Sequence, residues 1–166
     1  MKKESKVKKL IIDALIELLK KIELKKIKIT ELCEQAKVSR MSFYRNYNSV
    51  ESIMLDELDE LISEYKKDDE KKGKTEHYYD KENILHYLQY IEKNKIIIKG
   101  LYLSGYTFDF ISKINNFAYE KWKDKADEYE IAVFVGILYN AAYIWAKNDY
   151  KDDVNKIADI IYERYV

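Results

Sequence analysis

A chain of 166 residues without a single proline has given up the residue that most often ends or kinks a helix. Apolar residues then recur with helical spacing along nearly its whole length. Val7, Leu10, Ile11, Ala14, Leu15, Leu18 and Leu19 predict a helix over 6–22. Val50, Ile53, Met54, Leu58, Leu61, Ile62 and Tyr65 predict a long one from Val50 that ends between 65 and 70. Ile84, Leu85, Leu88 and Ile91 mark a helix over 81–94, and Ile96 to Leu103 a short one. Further helices are expected over 107–123, 128–147 and 153–165. Residues 67–81 are highly charged, hold a glycine and have few aliphatics, so a flexible loop is expected there. The reading is an all-α chain.

The stretch from Ile27 to Tyr47 has a pattern of its own. Leu32, Cys33 and Ala36 form one buried stripe of a short helix, and Val38 lies in a turn. Ser39 is placed to cap a second helix, its hydroxyl accepting from a free backbone amide. Phe43 and Tyr47, four apart, face inward. Arg40, Met41, Ser42, Tyr44, Arg45 and Asn46 are left facing outward. Two helices joined by a tight turn, the second bearing arginines and hydroxyls, form a helix-turn-helix suited to a DNA groove. Arginine can fork to guanine or grip phosphate, and hydroxyls can bond phosphate oxygens. Arg40, Met41 and Ser42 are expected at base edges, and Tyr44, Arg45 and Asn46 at phosphates. Ser39 and Tyr47 complete the expected DNA-binding set.

Charge follows the same division. Residues 1–50 hold 13 Lys and Arg against 6 Asp and Glu, while residues 51–166 hold 17 against 24, so a zero net charge hides a basic head and an acidic body. That asymmetry is expected when one end meets DNA. The division predicts a DNA-binding domain over 1–50 and an effector-binding and dimerisation domain over 51–166.

From Ala36 to Tyr47, and on through Ser49, Glu51 and Ile53, the sequence resembles the TetR/AcrR family of bacterial transcriptional regulators. The family pattern is roughly Ala-Gly-Val-Ser-x-x-Thr-Leu-Tyr-x-His-Phe, and the resemblance covers residues 7–60. Three positions depart from it: Lys37 stands for the turn glycine, Asn46 for a common histidine, and Val50 for a phosphate-binding lysine. Lys28 also stands where a threonine often caps the first helix, with Thr30 two residues later. The resemblance implies a three-helix helix-turn-helix head on a C-terminal helical bundle body. It also implies a homodimer joined through 128–166 on a palindromic operator in double-stranded DNA, a repressor's role, and control by a small-molecule effector. Residues 128–147, apolar on nearly every side, suit that dimer role.

Tyrosine occurs 16 times, and Tyr102, Tyr106, Phe108, Trp122, Tyr139 and Tyr143 are expected to line an effector pocket, since aromatic rings with polar handles suit one. No catalytic constellation is seen, so no enzyme, cofactor or metal is expected. Neither His77 nor His86 has a ligand partner at metal spacing. Asp68-Asp69 and Asp152-Asp153 read as solvated charge. The lone cysteine, Cys33, reads as a core residue and suits a cytoplasmic chain. No apolar run is expected to span a membrane, and the lysine-rich start lacks a signal peptide's apolar core. The alternative is a helical protein-interaction module that keeps the head fold without specific DNA binding.

Overall fold

The structure, a computed structural model, describes residues 2–73, 75–103 and 107–165. Among them the chain is all-α, with helices α1 (Lys2–Leu19), α2 (Ile29–Ala36), α3 (Arg40–Tyr44), α4 (Val50–Lys72), α5 (Lys81–Lys93), α6 (Lys95–Leu103), α7 (Thr107–Trp122), α8 (Glu128–Lys147) and α9 (Val154–Tyr162). A 3₁₀ turn, Leu24–Lys26, joins α1 to α2. The chain forms two compact units, Met1–Glu60 and Leu61–Val166, and the division falls inside α4.

In the head, Ile11 and Leu15 of α1, Leu32 of α2, Phe43 of α3, and Ile53, Met54 and Leu58 of α4 are all fully buried. These are the i, i+4 stripes of the sequence brought face to face. Cys33 is buried too, and that burial raises its thiol pKa, which favours the neutral, inert form.

The turn between α2 and α3 closes as a Schellman motif. The Val38 amide donates to the Cys33 carbonyl at 3.0 Å and the Lys37 amide to the Glu34 carbonyl at 3.2 Å. The motif puts Lys37 in the left-handed region, at φ 54° and ψ 41°. A side chain with a Cβ is strained there. Lys37→Gly is therefore expected to stabilise the chain by about 1 kcal/mol. Thermal denaturation should show a rise of roughly 2–4 °C. α4 starts on a reciprocal cap, in which the Ser52 amide donates to Ser49 Oγ at 3.2 Å and the Ser49 amide to Ser52 Oγ at 3.3 Å.

In the body, α5 packs on α9, and α8 on α7 and α6. α4 runs on through residues expected to be loop, because Asp69 lies one helical turn beyond Tyr65 and is held there. Asp69 is 6% exposed, not solvated, and receives the Lys121 ammonium at 2.7 Å. His86, which has no ligand partner in the local sequence, lies 3.1 Å from Asp68 through Nε2, although 18 residues separate them. Gly73, at φ 88°, ends the helix. The following turn is tied down as well. The Asn83 side-chain amide donates to Thr75 Oγ1 and to the His77 carbonyl, and Lys125 donates to the Thr75 and Glu76 carbonyls.

α8 starts on a capping box between Asp127 and Glu130. By length and composition alone it is apolar enough to cross a membrane, although 44% of that stretch is buried inside the fold. Its inner face, with Ile131, Val135, Leu138, Ala142 and Trp145, is core to the body. Asp153 caps α9, accepting from the Asn155 and Lys156 amides, and so is a structural group.

Candidate nucleic-acid interface

Ser39 caps α3 as its position suggests. Its Oγ accepts the Ser42 amide at 3.1 Å and donates to Ser42 Oγ at 3.0 Å. The helix is one turn and a half, shorter than the inward pair Phe43 and Tyr47 suggests. Beyond Tyr44 the chain tightens, and the Asn46 and Tyr47 amides both donate to the Phe43 carbonyl at 2.8 and 2.9 Å. Phe43 and Tyr47 still meet, with ring centroids 6.1 Å apart.

Five of the eight expected DNA-binding residues are exposed: Ser39, Arg40, Met41, Tyr44 and Arg45. Met41 is 68% exposed and Tyr44 54%. Arg40 and Tyr44 lie one turn apart on the same side of α3, with Met41 and Arg45 beside them. A surface apolar side chain beside two guanidinium groups and a phenol can contact base edges and phosphates together. Ser42 and Asn46 are half-buried and engaged locally, Asn46 Nδ2 donating to the Ser42 carbonyl at 2.7 Å.

Tyr47 is in the core, at 4% exposure, in line with its inward spacing from Phe43, which corrects its place in the expected DNA-binding set. Burial, with Asp56 and Glu57 near, raises its phenol pKa well above the usual range. The Lys8 ammonium lies 5.1 Å from the centre of its ring and 2.9 Å from Asp56. That lysine of the basic α1 face is engaged within the head. Val50, too, is buried, and packs where a phosphate-binding side chain would face out.

The six aromatics expected to line a pocket are dispersed. Tyr102 and Tyr139 are buried with centroids 5.1 Å apart, and Tyr143 meets Tyr102 at 5.8 Å. Phe108 is 80% exposed. Tyr106 lies outside the described residues. Of the five described, Trp122 alone lines the body's cavity, which holds about 80 Å³. Tyr65, Phe117, Ile131 and Phe134 wall it with Trp122, residues whose helices converge only in three dimensions. Among the described residues, no three His, Cys, Asp or Glu gather as metal ligands.

The fold and this surface define a class: an all-helical protein with a helix-turn-helix in its first compact unit. Among solved structures the chain is similar to Lin0861 from Listeria innocua, with TM-score 0.76 and 16% identity over 99% of this chain and 92% of that one. It is also similar to the dihydroxyacetone kinase operon activator DhaS, with TM-score 0.67 and 15% identity over 95% of this chain and 92% of that one. At such identities the likeness is one of fold. No family model matches the chain, and no curated protein matches it by sequence.

Proposed function

We propose that the chain is a homodimeric, sequence-specific DNA-binding transcriptional regulator of the TetR/AcrR type. The observation that carries this reading is the exposed Arg40-Met41-Tyr44-Arg45 surface of α3, mounted on a capped helix behind a closed Schellman turn. DhaS, a regulator by name, supports it through a shared fold. Arg40, Met41 and Ser42 take the base edges, and Tyr44 and Arg45 take phosphates, with Asn46 beside them. The two-fold axis of a dimer places the second reader helix about 34 Å away, on the other half of a palindrome.

Support for the dimer comes from the outward face of α8. Tyr129, Val133 and Ile144 are 83%, 61% and 52% exposed, and Ile160 of α9 is 52% exposed. No charged residue occurs between Glu130 and Lys147. An apolar stripe of that length on a surface helix marks an interface. Of the small residues expected to let backbones approach, Gly136 and Ala141 are half-buried on this helix, whereas Ala142 is in the core.

The direction of control we assign is repression, since a dimer seated on an operator excludes other proteins without further contacts. An effector acts by favouring one spacing of the two heads, and shifts DNA affinity by its differential affinity for that state. α4 offers the route, because its Leu58 belongs to the head core and its Leu61 and Tyr65 wall the body's cavity. The reading contains no catalytic step, and it needs neither cofactor nor metal.

Fluorescence anisotropy against DNA upstream of the gene tests it. Binding is expected to be selective over scrambled DNA, with two protomers per site. It should weaken by orders of magnitude between about 50 and 200 mM salt, as phosphate contacts dictate. Arg40→Ala should cost about 1–3 kcal/mol of affinity and flatten the preference for the operator, with helical content unchanged. Salt-sensitive binding that Arg40→Ala leaves selective would remove the base-reading role. No binding at either salt would favour the interaction-module reading.

A further inference from the structure

The body's cavity is almost wholly apolar, yet two charged side chains stand at its wall. The side chains of Asp69 and Lys121 are 7% and 12% exposed, and the ammonium lies 2.7 Å from each carboxylate oxygen. The same two residues, with Phe117, also border an outer cleft formed by Lys66, Glu70, Gly73 and Glu120. The pair and the ring therefore stand between the two spaces and line both.

We propose that the cavity is a binding site for a small, uncharged, single-ring or branched apolar molecule, entered from the cleft through a door made of Phe117 and the Asp69–Lys121 pair. Size sets the first limit. At about 80 Å³ the space is about half the roughly 150 Å³ that an engineered apolar cavity offers benzene, so one ring enters only as the walls move outward and a multi-ring compound does not fit. Charge sets the second. The two buried charges already neutralise each other, so an ionic guest must break the pair or stay unpaired in an apolar site, and either is costly. Chemistry sets the third. Tyr65, Phe117, Trp122 and Phe134 present ring faces and edges, which favour an aromatic guest. The Lys121 side chain is a flexible four-carbon stem, so its swing into the cleft opens the way transiently, at the cost of the pair, which re-forms once a neutral guest is inside.

Binding here does not depend on the regulator reading. Only its regulatory consequence rests on that reading.

The test is thermal denaturation of the full chain with four probes that share a ring: toluene, benzyl alcohol, benzoate and benzylammonium. Toluene and benzyl alcohol are expected to raise the melting temperature by roughly 5–10 °C at a hundredfold excess over Kd, and the two ions to leave it unchanged. Ala118→Leu, which fills the cavity from its wall, should abolish the rise. Ile114→Phe serves the same purpose if that variant does not fold. Trp122 fluorescence should change with the neutral probes. Equal shifts by the ions overturn the ligand class. A shift that survives the filling substitutions, or no shift and no fluorescence change with any probe, overturns the site. Operator binding without a melting shift leaves the regulator and removes the site. A melting shift without any change in operator affinity leaves the site and removes its regulatory role.

Discussion

Phe43→Ala is expected to destabilise the head by about 3–5 kcal/mol and to abolish DNA binding. The ring is fully buried, at 0% exposure, and meets the rings of Tyr44 and Tyr47 at 5.5 and 6.1 Å. Truncation to alanine loses the transfer energy of a phenyl ring and leaves a cavity that a short helix cannot close. A small unit has only about 5–15 kcal/mol to lose, so a large share of head molecules should open. Hydrogen exchange is the measurement to make. Protection should fall across α1, α2 and the first turns of α4, while α5, α8 and α9 keep theirs, because they belong to the second compact unit. Tyr44→Ala, one residue on, is the control. Its ring is 54% exposed, so the fold should hold and only operator affinity should drop. If Phe43→Ala bound DNA as well as the parent chain, the helix-turn-helix would not be the DNA-binding element.

The second large effect concerns α8. Val133→Lys combined with Ile144→Lys is expected to turn a dimer into a monomer. Both side chains face outward on the single chain, at 61% and 52% exposure, so helical content should not change. In a dimer the two-fold axis would bury four introduced charges, and each unpaired charge in an interface costs several kcal/mol. Sedimentation velocity should show the monomer at concentrations where the parent chain is paired. Affinity for a full palindrome should fall by about 10²–10⁴, since the two half-sites would no longer be engaged together. Affinity for an isolated half-site should stay the same. A double variant that sediments as the parent chain does would place the dimer contact elsewhere, or show that the parent is monomeric.

The all-helical class and most of the element positions were legible without coordinates, because they depend on spacing within one segment. The stripe Val7 to Leu19, the serine before α3, and the apolar run of α8 each carry their signal over one to five turns. The reader's outward residues Arg40, Met41, Tyr44 and Arg45 were legible for the same reason, since the inward residue Phe43 sets which side remains. Lys37 was legible as a turn-glycine position only through the resemblance, and its left-handed backbone came with the structure. Tyr47 was read two ways, as an inward residue and as a DNA contact, and burial against Phe43 and beneath Lys8 decided between them.

What only the tertiary structure decided involves partners far apart in the chain. Asp69 looked like solvated charge within a polar run, and Lys121, 52 residues away, makes it a buried end of α4. The cavity is walled by α4, α7 and α8, so its lining could not be read from any one aromatic cluster, and Tyr102 and Tyr139 fill core space instead. α8 was apolar all round by sequence, and only packing against α6 and α7 showed which half is core and which half is left facing out. Local spacing determines which face of a helix is apolar. The packing of distant helices determines what that face meets, because burial and ion pairing depend on distance in space and not on position along the chain.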